Sequence, residues 1–340
     1  MHILLVRFSS MGDVVLQTAT VNWLRSLFGN KLRVTFVTSR EFVSLVEGHP
    51  GINAVIGFDR RKDHWKDFVG KVVAAGPYDL VLDLHATMRS FRLKWALWAV
   101  PQLTVDKRRW ERFLLTKLKS IFFGKIWKAE PQVERIINDI QDIFGDERGV
   151  RATKDFRHGP HGEMTSLCEL PVYKLPEKYI VIAPSASFLP KRWPIENFVK
   201  LTERLLETTD LTMVVLAGPD DRFCEAFEVI KSHRLINLQG KTTLKESMSV
   251  LERAQLSIGN DSGMNHIAEA YGVPVVTIFG PTHPAFGFAP HGSKSRYHSV
   301  DIWCKPCSTT GSSPCYRKDL YCMKMISVDE VLASAREALA

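Results

Sequence analysis

The chain has 340 residues, enough for two domains that each bury a full core. Its 45% hydrophobic and 24% charged content is that of a soluble globular protein, and no apolar run approaches the roughly 20 residues needed to span a bilayer. A formal charge of +8 favours an anionic partner, but charge does not choose between nucleotide, phosphorylated lipid, nucleic acid and an acidic membrane surface.

The opening His2-Ile3-Leu4-Leu5-Val6 is followed at once by Arg7, so it reads as a strand rather than a signal peptide, and a cytoplasmic protein is expected. Buried strands are predicted at 3–8, 33–38, 54–58 and 80–84, alternating with helical patterns near 14–28, 41–47, 65–75 and 91–100. The first helix carries Val14, Thr18, Val21, Leu24 and Phe28 at spacings of three and four, an amphipathic stripe. Between strand and helix lies Arg7-Phe8-Ser9-Ser10-Met11-Gly12-Asp13. Gly12 allows a tight turn, and Asp13 at the helix start is either an N-cap or a carboxylate able to take a proton from an attacking hydroxyl. Asp83-Leu84-His85-Ala86-Thr87-Met88-Arg89 ends the fourth strand and places His85 and Arg89 on the acceptor side of a ligand cleft.

From Val105 to Lys128 the cations Lys107, Arg108, Arg109, Arg112, Lys117, Lys119, Lys125 and Lys128 outnumber Asp106 and Glu111. An apolar stripe of Leu114, Leu115, Leu118, Ile121 and Phe122 runs through them, with Trp110, Phe113, Phe123 and Trp127 interleaved. This is either a basic amphipathic helix suited to an anionic bilayer or phosphorylated lipid, or a domain helix with a solvated basic face. The Gly- and Pro-rich stretch 145–176 reads as the linker, giving domains at 1–160 and 161–326 and a closing helix at 327–340.

The second half repeats the scheme, with strands predicted at 179–183, 212–217, 236–238, 256–258 and 275–279 and helices near 195–208, 222–231, 244–254, 262–271 and from 328 onward. Alternating β and α elements imply two doubly wound parallel sheets, with ligands at the carboxyl ends of the strands. Three such ends carry polar clusters. Ser185, Ser187 and Lys191 follow the first strand and can donate to phosphate oxygens. Asp220 and Asp221 follow the second, where they either bind ribose hydroxyls or cap a helix. Gly259-Asn260-Asp261-Ser262-Gly263-Met264-Asn265-His266 joins the fourth to a helix, with Asp261 or Ser262 placed to cap it. A helix start reached through small residues suits a donor phosphate. Cys304, Cys307, Cys315 and Cys322 are spaced C-x2-C-x7-C-x6-C; a thiolate metal site or a reduced cysteine-rich loop would each account for them, and no metal is assigned. The first turn lacks G-x-G-x-x-G, which argues against a nicotinamide dehydrogenase.

Ser9-Ser10-Met11-Gly12-Asp13-Val14, Lys191-Arg192-Trp193-Pro194, Asp261-Ser262-Gly263 with His266, and Gly280-Pro281-Thr282-His283-Pro284 together resemble the heptosyltransferase family, glycosyltransferase family 9. The cysteine-bearing loop ending in Cys322-Met323-Lys324-Met325-Ile326-Ser327-Val328 is similar to that of many members, and the likeness runs over nearly the whole chain. The resemblance implies a GT-B architecture: two doubly wound Rossmann-like domains facing a central cleft, the first for the acceptor and the second for the donor. It implies inverting transfer of heptose from ADP-heptose to the inner core of lipopolysaccharide, on lipid A-linked Kdo or on heptose. The transfer it implies is metal-independent and uses no cofactor, and no nucleic-acid partner is expected. Asp13 would be the general base; Lys191, Ser185, Ser187, Ser262, Gly263 and His266 would hold the donor diphosphate, Asp261 the sugar, and Asp220 or Asp221 the ribose. Arg7, Ser10, Gly12, His85 and Arg89 would face the acceptor. The chain departs from the family in having His85-Ala86 for a common Gln-Gly, Arg192 for a frequent His, and only part of the hydroxyl pair at 185–187. A GT-B transferase using another nucleotide sugar, and a non-enzymatic nucleotide- or membrane-surface-binding protein on the same fold, are the alternatives.

Overall fold

A computed structural model describes residues 1–106, 110, 112–117 and 175–340. These fall into two compact units, residues 1–106 in the first and the remainder in the second.

The first unit is built on one parallel sheet of β1 (His2–Val6), β2 (Arg33–Ser39), β3 (Ala54–Phe58), β4 (Leu80–Asp83) and β5 (Gln102–Thr104), in the order β3-β2-β1-β4-β5. Its helices are α1 (Met11–Phe28), α2 (Trp65–Ala74) and α3 (Met88–Ala96). β1 is central and has no polar face: Ile3, Leu4, Leu5 and Val6 are all fully buried, as a strand covered on both sides requires. The strand order reverses between β1 and β4, so the ligand-accepting crevice lies at their carboxyl ends.

The second unit repeats the plan with β6 (Tyr179–Ala183), β7 (Thr212–Val215), β8 (Leu235–Asn237), β9 (Leu256–Asn260), β10 (Val275–Phe279) and β11 (Arg296–Ser299) in the order β11-β10-β9-β6-β7-β8, again all parallel. Its helices are α4 (Ile195–Thr208), α5 (Leu244–Glu252), α6 (Gly263–Ala270), α7 (Tyr321–Lys324) and α8 (Val328–Leu339). The reversal falls between β6 and β9. There Gly259 is required, because a Cβ would lie 2.5 Å from the Ala183 carbonyl oxygen of the neighbouring strand. The closing helix α8 begins with a capping box between Ser327 and Glu330 and buries Val331, Leu332, Ala335 and Ala338 in the second unit's core, alongside Phe198 and Leu205 of α4.

Two expected helices are 3-10 segments, Arg40–Leu45 and Arg222–Val229. In the second, the buried Cys224 and Phe227 are three residues apart, a spacing that a three-residue turn stacks on one face. The edge strands β5 and β11 were not expected; they are short, half-exposed and largely polar. In the basic stretch, residues 112–117 are helical, and Leu115 is buried against Ala285 and Phe286 while Trp110 and Phe113 stay exposed. Arg112 donates to the Phe286 carbonyl at 3.4 Å, and its guanidinium lies 5.8 Å from the Phe288 ring centroid. This face of the stretch is therefore a packed domain helix; residues 107–109, 111 and 118–128, and the expected linker through residue 174, lie outside the described residues. Among the described residues no helix is long and apolar enough to cross a membrane.

Candidate active site

In the first unit the site starts where β1 meets α1. Ser10 is the N-cap, its backbone extended, and Asp13 sits at the third helical position. The two make a capping box in which Asp13 Oδ2 accepts from the Ser10 amide at 3.1 Å and the Ser10 hydroxyl at 2.8 Å. Asp13 is thus a partner of the cap rather than the cap itself. Its second oxygen, Oδ1, pairs with Arg7 Nη2 at 2.6 Å. Arg7 is buried, and its Nη1 donates to the Leu84 carbonyl, which ties the end of β1 to the end of β4. Its Nε is buried with no hydrogen-bond partner. Burial by itself would raise the Asp13 pKa; the adjacent Arg7 charge and the Ser10 donors outweigh it and hold the carboxyl well below its ordinary value. Asp13 is therefore a carboxylate at any working pH. Gly12 is buried in the first turn of α1.

The loop after β4 is organised by Asp83, which is buried and pairs with Lys94 at 3.3 Å. Its Oδ1 accepts from the amides of His85 and Ala86 at 3.0 and 2.8 Å, closing a tight turn in which Ala86 takes φ +46°. His85 is buried edge-on against Phe8, ring centroids 5.6 Å apart. The Arg89 guanidinium lies over Phe8 at 5.1 Å, so it packs on the β1–α1 loop. Burial, with the nearby Arg60 charge, lowers its pKa.

In the second unit Lys191 Nζ pairs with Asp261 Oδ2 at 2.7 Å, and the same oxygen accepts from Thr282 at 2.8 Å. Asp261 is consequently not a helix cap. Ser262 occupies the N-cap of α6, but its side chain makes no capping bond and its buried Oγ has no partner. The first-turn amides of α6 thus receive no capping bond from the N-cap side chain. Asp261, Ser262, Asn265 and His266 line a small cavity together with Glu269, Thr277 and Phe288. Glu269 closes one wall by accepting from the amides of His291 and Gly292 at 2.6 and 2.7 Å. Gly263 is the first residue of α6.

A second cluster lies at the ends of β6 and β7. Asp221 Oδ2 accepts from the Ser185 hydroxyl at 2.6 Å and the Gly218 amide at 2.9 Å, while Oδ1 pairs with Arg192 at 3.3 Å. Ser185 and Asp221 thus hold each other and the turn, whereas Ser187 and Asp220 stand exposed. Asn260 joins the clusters: its amide donates to the Pro184 carbonyl at 2.6 Å and its Oδ1 accepts from the Trp193 amide at 2.9 Å.

Sequence reasoning gave no role to four residues here: Asn260 and Thr282, quoted only within motifs, and Lys305 and Gly311. Gly311, at φ +82°, lies on the Lys191 stem, where a Cβ would overlap Cγ and Cδ, so the cysteine-bearing loop helps position the lysine. Lys305 is only 2% exposed and donates to the Phe279 carbonyl at 3.1 Å and the Ser299 hydroxyl at 2.6 Å, at the ends of β10 and β11. Only its burial distinguishes it from other lysines, which no local pattern reports. Among the described residues no cysteine is in a disulfide, and no group of three or more His, Cys, Asp or Glu side chains is placed to hold a metal.

Residues 69–316 match glycosyltransferase family 9 (heptosyltransferase). The chain is 26% identical over 290 residues to lipopolysaccharide heptosyltransferase 3 of Escherichia coli, covering 81% of each chain. It is 28% identical over 167 residues to lipooligosaccharide heptosyltransferase 2 of Campylobacter jejuni, a match that spans 48% of this chain and about half (51%) of that relative. The solved structure of E. coli ADP-heptose LPS heptosyltransferase II superposes with a TM-score of 0.70 at 19% identity, over 100% of this chain and 98% of that one, which shows the GT-B fold. With the family matched over most of its length, the chain belongs to glycosyltransferase family 9, the heptosyltransferase family.

Proposed function

We propose that the protein transfers heptose from ADP-heptose to the inner core of lipopolysaccharide, on Kdo or an existing heptose, by inverting displacement without a divalent ion. The observation that carries the donor half is the uncapped N-terminus of α6, with the Ser262 hydroxyl unpartnered and Lys191 held beside it through Asp261. Free helix amides and a lysine supply the positive field that a leaving diphosphate needs, the role a divalent ion would otherwise fill. The names of similar proteins, among them an ADP-heptose LPS heptosyltransferase, favour this donor and acceptor.

In this scheme the acceptor hydroxyl attacks the anomeric carbon, the glycosidic bond forms as the bond to ADP breaks, and the hydroxyl proton passes to Asp13. A carboxylate of low pKa is a weak base, but the attacking oxygen becomes strongly acidic as its new bond forms, so late proton transfer suffices. Lys191 exchanges Asp261 for the diphosphate, leaving Asp261 to contact the sugar. Asp220, exposed at the end of β7, is the ribose contact better placed than Asp221, which is already engaged. Described cysteines without disulfides fit a reducing, cytoplasmic setting.

The test is calorimetric binding of ADP, UDP and GDP with and without magnesium, followed by turnover with Kdo-lipid and heptosylated core. Selective, magnesium-indifferent ADP binding is expected; preference for UDP or GDP replaces the donor assignment. Asp13→Ala should abolish transfer with ADP affinity nearly intact, and retained turnover removes the base. Lys191→Ala should raise the barrier by about 2–4 kcal/mol.

A further inference from the structure

Helix α3 is turned inside out relative to a surface helix of a free-standing domain. Two of its charged side chains are held against protein, Arg89 over Phe8 and Lys94 on Asp83, while Arg92, at 4.9 Å over the Trp65 ring of α2, stays exposed. Ser90 and Leu93 face inward, fully buried. Beside Arg92, Met88, Phe91 and Trp95 face water at spacings of three and four, and then Trp98 on the following turn. Trp95 and Trp98 are 73% and 81% exposed, and the Phe91 and Trp95 rings lie side by side, tilted by 49° with centroids 6.4 Å apart. One exposed aromatic needs no explanation; four large apolar side chains along one helix face mark a contact surface.

We propose that this face of α3 seats in the interface of an anionic lipid bilayer. Tryptophan prefers the headgroup level, where its ring is buried and its N–H stays wet. Residues 88–100 contain no carboxylate; with Lys94 offset by Asp83, the exposed Arg92 and Arg60, the latter beside Arg89, are the cations at the rim of the stripe that complement lipid phosphates. With no membrane-crossing helix among the described residues, such contact is peripheral. Its place in the fold gives it a use: α3 starts at N-cap Thr87, directly after the loop whose Leu84 carbonyl holds Arg7. A bilayer on this face brings a lipid-borne molecule to the end of the sheet that carries Arg7 and Asp13. The surface stands apart from the transferase reading, because lipid binding is measured with no sugar present.

The experiment is flotation of the full-length protein with vesicles of phosphatidylglycerol and phosphatidylethanolamine, against vesicles of phosphatidylcholine, read also by tryptophan emission and its quenching by brominated lipid. Selective binding to the anionic vesicles, weakened by salt, with a blue-shifted and quenched emission, is expected. Trp95→Ser with Trp98→Ser should lower that affinity by about tenfold or more, with circular dichroism and melting temperature unchanged. Arg92→Glu should weaken binding and flatten its salt dependence. No binding to anionic vesicles, or undiminished binding by the double tryptophan variant, overturns the proposal. So does a change of oligomeric state in that variant with lipid binding preserved, which assigns the face to a second copy of the chain.

Discussion

Arg7 and Asp13 show how one ion pair sets both a charge state and a pH range. The folded Asp13 pKa is depressed below the ordinary 3.8, so its stabilising contribution is complete above that value and is lost as pH falls through the lower folded value. The kcat/KM profile should therefore show no acid limb from Asp13 above pH 3.8; a limb near neutrality assigns the proton to another group. Arg7→Met should move the limb upward into the accessible range, because burial, the largest influence on Asp13, then acts unopposed by that cation. Lys305 also has a lowered pKa, but there folding favours the neutral form rather than the charged one. Burial, only partly offset by surrounding Cys322, Asp261, Asp301 and Cys307, lowers its pKa from 10.5 to about 8. Between those values the unfolded chain binds the proton and the folded protein does not, so stability rises with pH through that window. Relative to Lys305→Met, the wild type should gain on the order of 3 kcal/mol in denaturant unfolding across it, and parallel curves would show that the lysine stays charged when folded.

At the level of elements, the loop that carries the cysteines supports the site through Gly311. Gly311→Ala places a left-handed alanine on the Lys191 stem, so both melting temperature and ADP affinity should fall, the first by about 1 kcal/mol equivalent. Gly272, at φ +76° just after α6 with open space around it, separates the two effects. Gly272→Ala should cost similar stability and leave ADP affinity unchanged; equal loss of affinity in both variants would mean that Gly311 acts through general destabilisation. Elements with a strong apolar pattern were legible in the sequence: β6 and β10, buried throughout, the half-buried edge strand β3 and the one-sided helix α4 fall at their expected bounds, because apolar runs and helical periods report burial directly. β5 and β11 were not, since a strand such as Arg296–Ser299 exists by pairing with β10 rather than by its own pattern. The same holds in the site. Lys191 and Asp261 were each singled out, but their ion pair depends on β6 lying beside β9, a topology no local motif encodes. Ala86 is the converse: the family's glycine at that place is a sign of positive φ, and this chain keeps the conformation while supplying the side chain.

For the whole molecule, the two units have separate sheets and separate cores, so ligand effects should resolve by unit. The uncapped α6, Lys191 and the Asn260 links all belong to the second unit, and the Arg7–Asp13 pair to the first. If the nucleotide is held as proposed, ADP at a hundredfold excess over Kd should stabilise the second unit by about 2.7 kcal/mol. Hydrogen exchange should then slow at the first turn of α6, along 184–193 and at the end of β9, with the amides of β1 and β4 keeping their free rates. An acceptor analogue lacking the nucleotide should do the reverse, slowing the β1–α1 turn and the loop at 84–87. Protection by ADP centred on the first unit would move the nucleotide to Arg7 and leave the open helix end without a ligand. Protection spread evenly over both sheets would instead mean that the units unfold as one, and that their separate cores do not give them separate stabilities.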